Sequence, residues 1–192
     1  MLFETIRVCN GCAERLELHQ ARIIRSGGKA EPSLVQVIAA ASVPPAGEYK
    51  VHISYTAQGV HAVHVEPYTP RVIRRMRAVD CNVCYSRKDE DRSAFEQLRR
   101  QHPDVDELIL CREGWVTDTT YSNLLFGEPG AWYTPELYLL AGTRRESLLR
   151  AGFVQARPIH RDDIPHFPYV CLINAMLEPG RLMLPTSAVE LP

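Results

Sequence analysis

Hydrophobic and polar positions alternate most clearly over Tyr49 to Thr56. Val51, Ile53 and Tyr55 fall on one side and Lys50, His52 and Ser54 on the other, the two-residue period of a half-buried strand. Leu2 to Val8 alternates in the same way. Asn10-Gly11 then offers the positive-φ turn of a hairpin, with Cys9 and Cys12 flanking it. Leu16 to Ser26 favours a helix that stops at Gly27-Gly28 and carries His19 and Arg22, three apart, on one face. A second helix is expected over Ser33 to Ala41, ahead of Pro44-Pro45. Val60 to Glu66 and Arg71 to Val79 read as strands beside Tyr49 to Thr56, in the alternation of antiparallel strands covered on one face.

Asn82 to Asp91 is polar and reads as a linker between an N-terminal lobe, residues 1–85, and a C-terminal lobe, residues 86–192. Beyond it the pattern predicts a helix over Arg92 to Gln101, a buried strand over Glu107 to Cys111 and a turn at Glu113-Gly114. Val116 to Phe126 follows as a strand pair or one long bent strand. Thr134-Pro135 has the form of a helix cap with proline at the first helical position. Thr143 to Ala151 predicts a helix ended by Gly152, and strands are expected around Val154 to Ile159 and Val170 to Asn174. The sum is an α+β protein of two small lobes with mostly antiparallel sheets.

Composition narrows the functions available. The 192 residues are 45% apolar and 23% charged, ordinary values for a globular protein, and the net charge is −1. That balance supplies no reason to expect a nucleic-acid or anionic-membrane partner. The basic residues of Arg71 to Arg77 are interleaved with apolar ones, as in a strand with one basic face. No run of about eighteen apolar residues predicts a membrane span, and Met1-Leu2-Phe3-Glu4 is unlike a signal peptide, so a cytoplasmic location is expected. Four of the six cysteines form two Cys-x-x-Cys pairs, Cys9 with Cys12 and Cys81 with Cys84. A zinc-stabilised binding module is one reading of them. The 68 residues between the pairs exceed the ~15–20 of a zinc ribbon, and small buried apolar groups are the other reading. No metal site is expected. His52, His61 and His64 lie on strands without an acidic partner at a matching offset, as exposed strand histidines do.

Three segments carry candidate chemistry. Lys88 is one of three lysines against nineteen arginines and lies in the charged run Arg87 to Arg92. It is either part of a solvated charge cluster or an amine whose pKa is lowered by Arg87 and Arg92. Asp118 stands in a strand among Thr117, Thr119 and Thr120, where aspartate is disfavoured. It is either a structural carboxylate satisfied by those hydroxyls or one that keeps a pyridine nitrogen protonated. Gly142-Thr143-Arg144-Arg145 opens a helix with backbone N–H groups, a hydroxyl and a guanidinium suited to phosphate. Dinucleotide, P-loop, nucleophile-elbow and zincin motifs are absent from the sequence.

In order, Phe3-Glu4-Thr5-Ile6-Arg7, Leu18-His19-Gln20-Ala21-Arg22, Lys88 with Asp106-Glu107, Gly114-x-Val116-Thr117-Asp118 and Ser122-Asn123 lead on to Thr134-Pro135, Leu140-Ala141-Gly142-Thr143-x-Arg145 and Ile173-Asn174-Ala175. This set resembles the class IV aminotransferases, the fold-type-IV pyridoxal-phosphate enzymes. That family includes branched-chain and D-amino-acid aminotransferases and 4-amino-4-deoxychorismate lyase. The resemblance implies fold-type-IV architecture with a reduced N-terminal lobe, a pyridoxal 5'-phosphate cofactor and a homodimer. The implied substrates are an amino acid with a 2-oxo acid, or aminodeoxychorismate.

The resemblance also assigns roles. Lys88 would be the Schiff-base lysine and proton shuttle. Asp118 would face the pyridine nitrogen, where most members carry the longer Glu. Arg22, Gly142, Thr143 and Arg144 would hold the phosphate, and Asn174 and Ala175 would lie near phosphate and substrate carboxylate. Arg92 falls where many members place a tyrosine near the ring hydroxyl. Transamination is favoured by the breadth of the family, and pyruvate elimination is the alternative. The same lysine serves both.

Overall fold

The structure is a computed structural model that describes residues 1–29 and 31–192. It divides into two units. One comprises Met1–Thr69 with Arg87–Asp91, the other Pro70–Ser86 with Arg92–Pro192. The sequence suggested a single break between 85 and 86. The chain instead crosses between units three times, because a strand before residue 85 pairs in the second unit and the Lys88 segment returns to the first.

In the first unit, β1 (Leu2–Cys9) turns at Asn10-Gly11 into β2 (Cys12–Ala13), and both turn residues take positive φ, 48° and 77°. This is the geometry that an Asn-Gly pair accommodates without side-chain strain. α1 (Leu16–Arg25) and α2 (Leu34–Ala40) follow, the second opened by a Ser33–Gln36 capping box. β3 (Glu48–Thr56) and β4 (Gly59–Pro67) complete an antiparallel sheet of order β2-β1-β3-β4. Val51, Ile53 and Tyr55 are buried with Ile6, Val8, Ile23, Leu34 and Val37, so the alternating face is the core face. Ser54, on the opposite parity, is buried as well.

The expected strand Arg71 to Val79 is shorter and lies elsewhere. β5 (Met76–Asp80) belongs to the second unit and pairs in parallel with β6 (Glu107–Arg112), with α3 (Ser93–Gln101) in the connection. A parallel pair needs a crossover of this length, and Pro67 and Pro70 break the alternation before it. β7 (Trp115–Thr119) joins β6 after the Glu113-Gly114 turn, giving a sheet β13-β5-β6-β7 whose edge is β13 (Val189–Glu190).

β8 (Asn123–Glu128) lies in a different sheet from β7, so Val116 to Phe126 is neither a strand pair nor one bent strand. The Thr120–Ser122 turn, closed by the Thr119 N–H donating to the Ser122 carbonyl at 2.8 Å, redirects the chain. Thr134-Pro135 ends β9 (Ala131–Pro135) and does not start a helix; Thr134 Oγ1 donates to the Leu124 carbonyl across the sheet. α4 (Thr143–Arg150), β10 (Val154–Arg157), β11 (Tyr169–Ile173) and β12 (Met183–Pro185) complete the sheet β10-β9-β8-β11-β12. The pairs are antiparallel apart from β5–β6, β5–β13 and β9–β10. Leu125, Trp132, Leu148, Val154, Cys171 and Ile173 form the core under α4.

Candidate active site

The first unit holds Lys88 and Arg22. Residues 88–90 are docked along the start of β1 rather than solvated. The Phe3 N–H donates to the Lys88 carbonyl at 2.9 Å, the Glu90 N–H to the Met1 carbonyl at 2.8 Å, and Leu2 bridges Asp89. The segment thus behaves as a short added strand. It places Lys88 Nζ 4.2 Å from the centre of the Phe3 ring, whose plane also stacks on His52 at 4.7 Å. The Ser54 hydroxyl donates to the Glu90 carboxylate, fixing the far end of the segment.

Arg22 is buried on α1 and grips Glu4 of β1 twice, through Nε to Oε1 at 2.8 Å and a terminal nitrogen to Oε2 at 2.5 Å. His19 Nδ1 lies 2.6 Å from Glu4 Oε2, so the shared helix face read from the sequence meets one carboxylate. Burial pushes the Glu4 carboxyl up. The Arg22 charge and the hydrogen bonds from Arg22 and His19 outweigh burial and hold it at about 2. Burial lowers the His19 pKa against the pull of Glu4.

The second unit holds the remaining candidates. Asp118 is buried, and none of the neighbouring threonine hydroxyls satisfies it, contrary to one of the two readings from the sequence. Thr117 donates to the Leu110 carbonyl, Thr119 bonds Ser122, and Thr120 donates to Glu107. Odd and even positions of a strand point to opposite faces, so Thr117 and Thr119 turn away from Asp118. Asp118 Oδ1 instead accepts from Asn123 Nδ2 at 2.7 Å, and Oδ2 accepts the N–H groups of Leu139 at 2.8 Å and Leu140 at 2.9 Å. Burial raises its pKa to about 6 against these three donors and the charge of Arg145. Asn123 Nδ2 also donates to the Leu140 carbonyl at 3.0 Å.

The segment held by Asp118 leads into α4. Gly142 caps that helix with φ −72° and ψ 136°, and no side chain caps it among the described residues. A Cβ on Gly142 would lie 1.9 Å from Asn123 Oδ1, so only glycine fits against Asn123. Thr143 is buried just inside the helix. Arg144 pairs with Glu178, while Arg145 donates to the Pro135 carbonyl at 2.8 Å, lies over the Tyr138 ring and leaves its buried Nε without a hydrogen bond.

Arg92 donates to Tyr85 Oη at 3.0 Å and to the Thr120 carbonyl, and its guanidinium covers the Tyr85 and Phe95 rings. Asn174 accepts the Met176 and Leu177 N–H groups at 2.8 and 3.0 Å, shaping the turn that carries buried Ala175. Asp118, Gly142 and Thr143 therefore gather around one loop. Asn123 and Arg145 join them although sequence reasoning gave neither a role. Their places in the ordered motif, five residues after Asp118 and three after Gly142, were the available signal.

Glu107 is a third buried carboxylate, and the sequence left it without a role. It accepts from Arg71, Arg99 and the Thr120 hydroxyl and N–H. The cysteine pairs fall in different units, and among the described residues no group of three or more His, Cys, Asp or Glu could hold a metal ion. No helix among them is long and apolar enough to cross a membrane.

Residues 44–183 match the family described as Amino-transferase class IV. An uncharacterized protein of Haemophilus influenzae is 34% identical over 183 residues, 91% of this chain and 97% of its own length. The crystal structure of "a putative 4-amino-4-deoxychorismate lyase" from Haemophilus somnus 129pt is similar with a TM-score of 0.84 and 33% identity, covering 92% of this chain and 96% of that one. A "putative aminodeoxychorismate lyase" of Schizosaccharomyces pombe is 30% identical over 54% of this chain and 46% of its own length. Matched over most of its residues by one family, and along nearly its whole length by a relative above 30% identity, this chain belongs to the class IV aminotransferase family.

Proposed function

We propose that the chain is a pyridoxal-phosphate-dependent lyase that releases pyruvate from 4-amino-4-deoxychorismate and leaves 4-aminobenzoate. The observation that carries this reading is the 33% identity, over nearly all of both chains, with a protein named for that activity. Amino-group transfer from an amino acid to a 2-oxo acid is the second reading, favoured by the description of the family itself. The proposal includes a cytoplasmic homodimer.

Enzymes of this family depend on pyridoxal phosphate. The second unit has donors suited to it: a helix start with no side-chain cap, a buried threonine, and the buried Arg145 Nε, which makes no hydrogen bond. Gly142, Thr143 and Arg144 would hold the phosphate, a role the family resemblance also gives to Arg22, whose guanidinium Glu4 holds. Asp118 keeps acceptor capacity on Oδ1 and would hold a proton at the ring nitrogen. The cofactor, when bound, supplies an electron sink for charge developing on the substrate carbon.

Lys88 would supply the amine that holds the cofactor and would carry the substrate proton on Nζ, for which an amine on a docked strand is better positioned than one on a loose loop. Arg92, Asn174 and Ala175 would line the substrate side. The test is incubation of the purified protein with pyridoxal phosphate and aminodeoxychorismate, following pyruvate and 4-aminobenzoate, beside a panel of amino acids with 2-oxo acids. Both products in equal amounts support the lyase. Oxo-acid exchange without them supports transfer, and neither outcome from a cofactor-loaded protein refutes both readings.

A further inference from the structure

We infer that Asn123 is a positioning residue that locks the Asp118 carboxylate and the start of α4 into one frame, so that the two ends of the cofactor site keep a set separation. The inference rests on the functional reading above. Three contacts carry it. One amide nitrogen of Asn123 bonds both Asp118 Oδ1, at 2.7 Å, and the Leu140 carbonyl, at 3.0 Å. The other Asp118 oxygen takes the N–H groups of Leu139 and Leu140, so the approach to α4 is gripped through donor and acceptor alike. Finally, the Asn123 side chain occupies the place where a Cβ on Gly142 would stand, 1.9 Å away. Asp118, Asn123 and Gly142 are buried, so water does not replace a lost partner freely.

The chemistry requires an amide here. Aspartate at 123 would set a second negative charge against Asp118, and alanine would take a donor from a buried carboxylate. Losing that donor disfavours the charged form of Asp118, which moves the acid limb of cofactor uptake to higher pH. A role confined to packing would weaken uptake at every pH and leave the limb in place.

The experiment titrates apoprotein with pyridoxal phosphate by absorbance from roughly pH 5.5 to 8.5, the range spanning the Asp118 titration, with circular dichroism melts alongside. Asn123→Ala is expected to bind about tenfold more weakly near neutrality, with its acid limb raised by roughly one pH unit. Gly142→Ala displaces Asn123 without removing its amide and is expected to move the limb in the same direction. The double variant, which has room for both residues, should shift it little further. Should Asn123→Ala not fold, Gly142→Ala alone carries the comparison. Wild-type protein that takes up no cofactor overturns the functional reading and this inference with it. Wild-type uptake with an unmoved limb in the folded variants overturns the role of Asn123 alone.

Discussion

Lys88 and Phe3 are joined twice: the Phe3 N–H donates to the Lys88 carbonyl at 2.9 Å, and the Lys88 ammonium lies 4.2 Å from the centre of the Phe3 ring. The backbone bond fixes where the residue sits, and the ring fixes where its amine goes. A segment that is a charge run by composition thereby presents one amine in a defined place. Phe3→Leu keeps an apolar side chain but removes the ring face, a loss of about 0.5–1 kcal/mol at a partly exposed site. Lys88→Ala should abolish any absorbance band at about 410–430 nm formed with added cofactor, while Phe3→Leu should keep the band and slow its appearance. Stopped-flow absorbance checks both; an unchanged band in Lys88→Ala would remove Lys88 from the site.

Glu4→Gln should destabilise the first unit strongly, by about 3–5 kcal/mol, because it leaves the buried Arg22 charge without its counter-charge. The pH dependence has a definite sign. The Glu4 carboxyl is held at about 2, below its ordinary 4.5, so its contribution is complete above 4.5 and is lost as pH falls toward 2. The His19 pKa is also lowered, so stability falls in the same direction as pH drops below 6.5. Urea melts across acidic pH should show wild type losing stability steadily and Glu4→Gln losing less of it below 4.5.

Arg22→Ala is expected to weaken cofactor retention by removing a charge-assisted phosphate contact, on the order of 1.5–3 kcal/mol. Dialysis against cofactor-free buffer followed by absorbance measures it. Because Glu4 would then lose its arginine and keep His19, Arg22→Lys is the companion variant. Full occupancy in a folded Arg22 variant would place the phosphate elsewhere.

Asp118→Asn tests the opposite linkage. The folded-state pKa is raised to about 6 by burial, so ionising Asp118 above that value opposes folding, and stability is recovered as pH falls from 6 toward 3.8. The Asn variant never ionises there. Its melting temperature relative to wild type should therefore be higher near neutrality than near pH 4. Calorimetry at both pH values checks the sign, and a pH-independent difference would contradict it. The same variant should take up cofactor more weakly near neutrality, without the acid limb that Asp118 imposes, and turn over more slowly once loaded.

Glu107 anchors Arg71, Arg99 and the Thr120 turn, so Glu107→Ala should cost several kcal/mol, ~3 or more, whereas Glu107→Gln keeps the turn contacts and costs less. Thermal melts of the two variants distinguish a turn anchor from a pure charge pair.

The amino-acid sequence by itself determined the local elements whose signals are local. An Asn-Gly pair must turn with positive φ, Val51, Ile53 and Tyr55 must share a face, and a Gly-Thr start must leave N–H groups uncapped by a side chain. The ordered motifs also sufficed for the family. Tertiary structure alone decided that Met76–Asp80 pairs with Glu107–Arg112 and not with Glu48–Thr56, since strand partnership depends on crossovers that alternation does not encode. It alone decided that Lys88 lies along β1. It also gave Asp118 an amide and two backbone donors from residues 123, 139 and 140, in place of the hydroxyls beside it. Neighbours along a strand point to opposite faces, so the partners of a buried carboxylate come from segments distant in the chain or beyond the next turn, where inspection of adjacent residues does not find them.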